Sequence, residues 1–409
     1  MHSISRSKIL LDFYLFGFII CGYANYFLFE LAPENWSVSI SSGFARIATL
    51  LAWLLICSFC ALSSLGLGYS LARIPKTYQA ILALPFMYAI MEFARSYLFA
   101  IMAYGPHGKL SPNFNWGSVA VPASGTPLVF VSRLVGFFGL TIFVIVINIC
   151  IYSLTTRYYR VRSFAALSVV FCLTYMSWSA GVHVTSPELT VKAVHVGSTQ
   201  GLKDWNKASW PEAGTDLLVL PEYSEILKNP NYIEIMSRLS DTGLAVTTIR
   251  DKGSPEGTNR LIYINNKGEI VNHQDKTFLI PTGEYLPYSL QMTFRLIGKQ
   301  KSSQDFKYTQ QQTNGKIDEY PFSGGSFRVG ALACSGVSAL NEYKRLSRED
   351  ADILVNSASL SFLAPRSHYH VYARNMARFH AVSNNKPFVQ ASRSGESYRI
   401  TNQGVITYL

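Results

Sequence analysis

Three side chains with reactive chemistry lie at the ends of strand-like runs in the C-terminal half of the chain. Glu222 ends the run 217–222, Lys276 follows Asp275, and Cys334 ends the run 327–334. A lone thiol after a buried strand is a candidate nucleophile, and a neighbouring carboxylate or ammonium group can assist it. The order Glu, Lys, Cys, each at a strand end, therefore predicts acid–base-assisted thiol chemistry.

Cys334 is the only one of six cysteines outside the apolar N-terminal half. It has no partner in its own part of the chain, so no disulfide is expected there. The others lie in hydrophobic stretches, where a free cysteine behaves as a small apolar residue; they are Cys21, Cys57, Cys60, Cys150 and Cys172. An inert core thiol at position 334 remains an alternative at this point.

The distribution of charge divides the chain into two parts. Residues 1–181 contain 11 Lys or Arg and 4 Asp or Glu, whereas the rest of the 409 residues contain 25 and 21. The net charge of +11 is not gathered into a basic stripe, so nucleic-acid binding is not expected. No Gly-rich phosphate loop and no Cys/His arrangement for zinc is visible, so neither a cofactor nor a metal is predicted.

Five segments of the first part are long and apolar enough to cross a membrane, at 9–31, 45–67, 78–103, 127–154 and 163–180. Lys and Arg favour cytoplasmic loops. They cluster before the first span, after the second and after the fourth. This pattern predicts a cytoplasmic N-terminus and five crossings. In a bacterium it places the protein in the inner membrane, with everything after about residue 181 in the periplasm.

Glu92 and Arg95 lie in the third span at helical i,i+3 spacing. Charges within a membrane are costly and are usually paired or functional. Two interpretations stay open, a structural pair within the helix or the lining of a cavity.

From about residue 188 onward, short strands alternate with turns and helices. This alternation is typical of a layered α/β domain. The predicted strands are 189–196, 216–220, 243–248, 260–264, 326–333, 352–356, 386–392 and 397–409, and the predicted helices are 233–239 and 367–384.

Several motifs resemble the apolipoprotein N-acyltransferases, a membrane-bound branch of the nitrilase superfamily. Leu220-Pro221-Glu222-Tyr223 is similar to the superfamily's glutamate motif. The run from Asp275 to Pro281, followed by Gly283-Glu284-Tyr285-Leu286-Pro287, resembles the lysine motif of this branch. In the membrane part, Glu92-Phe93-Ala94-Arg95-Ser96 and the stretch from Pro127 to Leu140 resemble its third and fourth spans.

The resemblance implies a polytopic α-helical membrane domain, residues 1–181, followed by a nitrilase-like α-β-β-α sandwich, residues 182–409. It implies Cys334 as the nucleophile and Glu222 as the base. Lys276 and the backbone N–H of Ser335 are expected to stabilise an oxyanion. Glu284 is expected to orient Lys276 or to help deprotonate an attacking amine.

Substrate-binding roles are expected for Tyr223, Tyr285 and Asn356. For the two tyrosines, aromatic core packing is the competing interpretation. Competing interpretations also exist for the charged residues: Glu222 as a helix cap, Lys276 as a solvated turn residue and Glu284 as a surface carboxylate.

The chain departs from the family pattern at several positions. Gly336 stands where an acidic residue usually follows the cysteine by two places, and Ser357 follows Asn356 where the family has Asp. The usual Asn-Thr-Gly near the end is Arg393-Ser394-Gly395. The sequence ends at Leu409, so the family's usual C-terminal strands and last membrane helix are expected to be missing.

The function that this resemblance implies is membrane N-acyl transfer. An acyl chain would move from a phospholipid, through a thioester on the cysteine, to an amine such as a lipoprotein N-terminus. Two alternatives stay open. One is a carbon–nitrogen hydrolase that passes the acyl group to water, and the other is a conjugal-transfer membrane protein of the TraB type, in which the three reactive residues would be dispensable.

Overall fold

The computed structural model describes residues 6–30, 42–156, 160–182, 189–195, 202, 205–251, 257–301, 304, 312, 321–323, 326–361, 363 and 367–409. Within these residues the chain forms two compact units. The first contains the described residues up to 182, except 104–109. The second contains the described residues from 189 onward together with Tyr104–Lys109, a segment that the sequence analysis assigned to the membrane part.

The first unit contains five long apolar helices: α1 (Arg6–Ala24), α2 (Ser42–Leu71), α3 (Thr77–Met102), α4 (Ser132–Thr155) and α5 (Arg160–Val182). A 3₁₀ turn, Pro127–Val131, leads directly into α4. Each helix, with this turn included, is long and apolar enough to cross a membrane. The five predicted spans are therefore confirmed, while the direction in which they cross stays a prediction.

Glu92 lies in the middle of a hydrogen-bond network inside the first unit. Its Oε2 accepts from the hydroxyls of Ser118 and Thr141, each at 2.6 Å, and its Oε1 accepts from the backbone N–H of Val119 at 2.8 Å. The Nη2 atom of Arg95 lies 3.6 Å from Oε1. The predicted pairing of Glu92 with Arg95 is present, and the carboxylate also joins α3 to α4 and to the segment before it.

The second unit contains two β-sheets. The first comprises β1 (Val191–Ala193), β2 (Thr215–Glu222), β3 (Leu239–Asp251), β4 (Thr258–Asn265) and β5 (Ile270–Asp275), side by side in chain order. The second has the order β11-β10-β9-β8-β7-β6, from β6 (Phe322–Ser323), β7 (Arg328–Ala333), β8 (Ile353–Ser359), β9 (Phe388–Arg393), β10 (Tyr398–Ile400) and β11 (Ile406–Tyr408).

Three neighbouring strands of each sheet run parallel, and the remaining strands of both sheets pair antiparallel. β1, β2 and β3 run parallel, as do β7, β8 and β9. The two sheets face each other across a common apolar core that includes Leu217, Val246, Val329, Val355 and Val389, all fully buried. Because both faces of these strands are covered, the strands are almost continuously apolar.

Helices cover the outer faces of the two sheets. α6 (Tyr232–Met236) packs on the first sheet through the buried Ile235 and Met236. α8 (Leu340–Arg348) and α9 (His368–Ser383) pack on the second sheet. The predicted α-β-β-α sandwich is confirmed, and parallel strands bring their carboxyl ends to one edge of each sheet.

Two strands and two α-helices of the second unit were missing from the sequence-based prediction: β5, β6, α8 and a helix that we call α7 (Tyr288–Leu296). The run 397–409, predicted as one strand, is instead the hairpin of β10 and β11. Gly404 has a φ of +73° in the intervening turn, a conformation that glycine adopts readily.

Candidate active site

Glu222 is the last residue of β2 and is almost completely buried. The amide of Asn259, at the start of β4, donates a short hydrogen bond to its Oε1. The chain then turns sharply at Tyr223, whose φ is +55° and whose backbone N–H donates to the hydroxyl of Thr248 at 3.1 Å. The carboxylate is thus held at a strand end, and the interpretation of Glu222 as a helix cap has no support here.

Lys276 directly follows β5 and carries its ammonium group into the same buried site. Its Nζ lies 2.6 Å from Oε1 of Glu284 and 3.3 Å from Oε1 of Glu222. Its backbone N–H donates to the carbonyl of Asn259 at 2.7 Å, which extends the pairing of β5 with β4 by one step. Since an ammonium group has three donors, one N–H remains for a third acceptor. A solvated turn lysine is excluded by the burial of this side chain.

Glu284 is fixed by a tight loop between Ile280 and Tyr285. Its Oε2 accepts from the backbone N–H of Ile280 at 2.9 Å, while its own backbone N–H donates to the carbonyl of Ile280 at the same distance. One carboxylate oxygen therefore anchors the loop and the other holds Lys276. The orienting role expected of Glu284 stays a prediction.

Cys334 lies at the turn between β7 and a short 3₁₀ helix, Cys334–Ser338. Its φ of +43° is unusual for a residue with a side chain and marks a bend at the thiol. Its Sγ lies 3.5 Å from the carbonyl oxygen of Ser359. The first N–H groups of a helix have no carbonyl partner within the helix. The backbone N–H of Ser335 is one of them, so it can donate a hydrogen bond to a negatively charged oxygen.

The Cys334 turn is tied to the neighbouring elements by side-chain hydrogen bonds. The hydroxyl of Ser335 donates to the carbonyl of Phe278 at 2.5 Å, which links the turn to the segment after Lys276. The amide of Asn356 donates to the carbonyl of Cys334 at 3.2 Å and to Oε1 of Gln390 at 3.1 Å. These bonds hold the sulfur in register with the lysine.

The presence of glycine at position 336 has a local structural explanation. A Cβ atom at this position would lie 2.5 Å from the Cβ of Leu332, which is closer than real Cβ atoms approach. The acidic residue expected two places after the cysteine would therefore not fit on this backbone without a shift of the turn.

Burial and charge together set the protonation of the site. Burial raises the pKa of the Cys334 thiol, the carboxylate of Glu222 raises it further, and the Lys276 ammonium opposes both. Burial also raises the pKa of Glu222, against the opposing effect of Lys276. The resting thiol is therefore protonated near neutral pH and needs a base to become a nucleophile.

Lys276 stays protonated despite its burial. Desolvation alone would lower its pKa, but the carboxylates of Glu222 and Glu284 outweigh this effect and raise the pKa well above its usual value. A lysine held in the ammonium form cannot act as a base. It can stabilise negative charge that develops beside it.

The structure brings Glu222, Lys276, Glu284 and Cys334 into one electrostatic cluster, since the two carboxylates and the ammonium all act on the thiol. This arrangement suits nucleophilic attack by sulfur, with Glu222 as proton acceptor and Lys276 as cation. Within the part of the chain that the structure describes, no group of three or more His, Cys, Asp or Glu side chains is placed to hold a metal ion.

The three residues predicted to bind substrate have protein contacts of their own. The ring of Tyr285 is buried and leaves no room for side chains at Gly105 and Gly108: a Cβ at either would lie within about 3 Å of the ring or its hydroxyl. Asn356 is buried beneath Cys334, and the hydroxyl of Tyr223 accepts a bond from Gln312 at 3.1 Å. For all three residues, substrate binding stays a prediction.

Sequence comparison assigns this part of the chain to a known family. The carbon-nitrogen hydrolase profile matches residues 199–409, just over half of the chain and the whole of the described active-site cluster. The chain belongs to the carbon-nitrogen hydrolase family.

Curated relatives extend the likeness into the membrane part. An apolipoprotein N-acyltransferase of Geobacter metallireducens is 22% identical over 364 residues, covering 80% of this chain and 65% of the relative. One from Pasteurella multocida is 22% identical over 419 residues, covering 93% and 76%. The resemblance proposed from sequence motifs is confirmed, and the chain spans about two thirds to three quarters of these relatives.

Among solved structures, a carbon-nitrogen hydrolase from Helicobacter pylori G27 matches 54% of this chain and 84% of its own, with 16% sequence identity and a TM-score of 0.35.

Asn259 is a residue of the candidate active site that was not predicted from the sequence. It bonds Glu222 through its side chain and Lys276 through its carbonyl. A polar residue at a strand start is also typical of turns, so no local pattern separated Asn259 from a loop residue.

Asn259→Leu is expected to move the acid limb of the pH–rate profile upward by about one unit. The substitution keeps the approximate volume but removes a donor that stabilises the Glu222 carboxylate, so the pKa of Glu222 rises further. Such a bond contributes about 1.5–3 kcal/mol, and one pKa unit is about 1.4 kcal/mol. The measurement is the pH dependence of kcat/KM for the full-length protein in detergent.

The matched control is Asn229→Leu, since Asn229 is also buried and donates to the carbonyl of Leu202 at 2.6 Å. Its pH–rate profile should keep the inflection of the unmodified protein. An unchanged inflection in Asn259→Leu would show that this amide does not tune the base.

Proposed function

We propose that the protein is a membrane N-acyltransferase that carries the acyl group as a thioester on Cys334. The observation that supports this most directly is the buried ammonium of Lys276 between two carboxylates, beside a thiol that needs a base. The names of the curated relatives support transfer to an amine rather than to water.

The first half of the reaction acylates the sulfur. Glu222 takes the proton of Cys334, and Sγ attacks the ester carbonyl of a phospholipid. The oxyanion forms near the free N–H of Lys276 and the backbone N–H of Ser335; one such donor contributes about 3–4 kcal/mol in other enzymes. When the C–O bond breaks, the proton on Glu222 goes to the departing oxygen, which leaves as a lysophospholipid.

The second half transfers the acyl group. An amine attacks the thioester, a C–N bond forms and the C–S bond breaks. The amine's proton passes to Glu222 and returns to the Cys334 thiolate, which restores the starting state. The carboxylate of Glu222 holds the transferred proton in both halves of the reaction. This suits a ping-pong sequence in which the first product leaves before the acceptor binds.

For the acceptor we propose the N-terminal amine of a lipoprotein, by analogy with the curated relatives. The same relatives and the five apolar helices support a place in a bacterial inner membrane. The distribution of Lys and Arg favours a cytoplasmic N-terminus and a periplasmic second unit.

The experiment that tests the proposal traps the intermediate. The full-length protein in detergent is incubated with phosphatidylethanolamine of defined acyl chains and no amine, and its intact mass is measured. We expect a mass increase of one acyl chain that hydroxylamine removes, located on the peptide containing Cys334, together with lysophospholipid.

Two outcomes would contradict the proposal. Steady release of free fatty acid, with no amide formed after a diacylated lipopeptide is added, indicates a hydrolase. The absence of both adduct and product indicates a membrane component without this chemistry.

A further inference from the structure

Helix α7 of the second unit has an exposed apolar face. Tyr288, Met292 and Leu296 are four residues apart, so they lie on one side of the helix. Their exposed fractions are 51%, 63% and 75%. The helix is held to its own unit from the other side, where Phe294 is buried. A run of large apolar side chains turned outward marks a surface that contacts something else.

The position of α7 in the chain indicates what that partner is. The backbone N–H of Tyr288 donates to the carbonyl of Tyr104 at 2.8 Å, and the two rings are in contact with centroids 5.9 Å apart. Tyr104 comes two residues after Met102, the last residue of α3, which is one of the membrane spans. Two residues of backbone reach at most about 7.6 Å, so the start of α7 is tethered to the end of a span.

The end of that span lies at the membrane surface. With 26 residues, α3 is about 39 Å long, enough to cross the hydrocarbon core and enter the headgroup region. Tyr104 and Tyr288 are both exposed in part, and tyrosine is enriched at this level of a bilayer.

The charges around α7 match a lipid surface. Arg295 and Lys299 are exposed beside the apolar face, and the sequence 285–301 contains no acidic residue. A helix with an apolar face and basic flanks is attracted to anionic headgroups while its apolar side chains enter the acyl boundary.

We propose that α7 lies in the membrane interface, with Tyr288, Met292 and Leu296 among the lipid chains and Arg295 and Lys299 near the phosphates. Its partner is the bilayer that contains the five spans. This inference goes beyond the proposed acyl transfer and does not depend on it, because it rests on exposure, charge and connection to α3.

The test uses the full-length protein in vesicles of phosphatidylethanolamine and phosphatidylglycerol. In a Cys172→Ala background, which removes an exposed thiol, nitroxide labels are attached at Met292→Cys or at Leu296→Cys. Collisions with oxygen, which concentrates in lipid, are compared with collisions with a water-soluble nickel complex. We expect oxygen to exceed nickel several-fold at both positions.

The matched control is Ile233→Cys on α6, an apolar residue with 58% exposure and no link to a span. Its label should favour nickel. If labels at 292 and 296 behave like the label at 233, α7 is in water and the proposal is wrong. If they are shielded from both reagents, a protein surface covers the face and the bilayer assignment is equally wrong.

Discussion

Cys334→Ser is expected to reduce acyl transfer by about 10⁴-fold or more, as removal of a nucleophile does in other enzymes that form covalent intermediates. A serine hydroxyl has a much higher pKa than a thiol, so the buried carboxylate of Glu222 cannot ionise it. The side chain is nearly isosteric, so the turn at residue 334 should keep its shape. The measurement is transfer from phosphatidylethanolamine to a diacylated lipopeptide, followed by mass spectrometry.

Cys150→Ser is the control, because Cys150 is a buried cysteine of α4 in the first unit. It should retain the activity of the unmodified protein. If Cys334→Ser kept more than about a tenth of the activity, the remaining rate would be far higher than expected after loss of the nucleophile. The nucleophile would then be a different residue.

Lys276→Met is expected to cost about 3–5 kcal/mol of folding free energy at neutral pH, the usual cost of removing one partner from a buried ion pair. The variant leaves Glu222 and Glu284 buried beside each other without a cation. For a unit of this size, the loss corresponds to a decrease in Tm of roughly 6–20 °C. The measurement is thermal unfolding of the full-length protein in detergent at several pH values.

The pH dependence follows from the sign of the shift. In Lys276→Met, Glu222 loses the cation that opposes the effect of burial, so its folded-state pKa lies above its unfolded value, near 4.3. Such groups favour the folded state at low pH, and that contribution is lost as the pH rises through the folded-state pKa. The deficit relative to the unmodified protein should therefore shrink as the pH falls toward about 4–5.

Lys228→Met provides the comparison, since Lys228 forms an exposed 2.7 Å pair with Glu225. It should cost less than about 1 kcal/mol. Equal losses in the two variants, or a deficit in Lys276→Met that does not change with pH, would mean that the buried charges do not depend on this lysine.

The long elements could be predicted from the sequence because their patterns are strong. Twenty or so apolar residues in a row admit few structures other than a spanning helix, and β2, β7 and β8 are apolar runs of strand length. β5 was not predicted as a strand because it is mostly exposed and polar, with His273 and Gln274 among its residues. α7 was not predicted because it is only nine residues long, and hydrophobic periodicity needs a window of about 11–18 residues to indicate a helix.

In the candidate site, the reactive residues could be predicted from their residue types, whereas the residues that position them could not. Glu222 and Cys334 each end an apolar run and Lys276 follows the polar strand β5. The ends of strands from the two facing sheets then bring the three residues together. Asn259 and Gln390 act through hydrogen bonds between residues distant in the chain, and no spacing rule reports such bonds. The packing of Tyr285 against Gly105 joins segments about 180 residues apart and was equally hidden.

The left-handed backbone at Cys334 also limits which amino acids evolution can try at this position. β-Branched side chains are genuine outliers in that region of φ/ψ space, so threonine, a nucleophile in other enzymes, is disfavoured by the bend itself. Serine, asparagine and glycine are the replacements that this backbone leaves open. Asparagine and glycine have no nucleophilic hydroxyl or thiol, and the serine hydroxyl is much harder to ionise than a thiol. Substitutions at residue 334 that keep the bend therefore lead to loss of activity more readily than to a change of nucleophile.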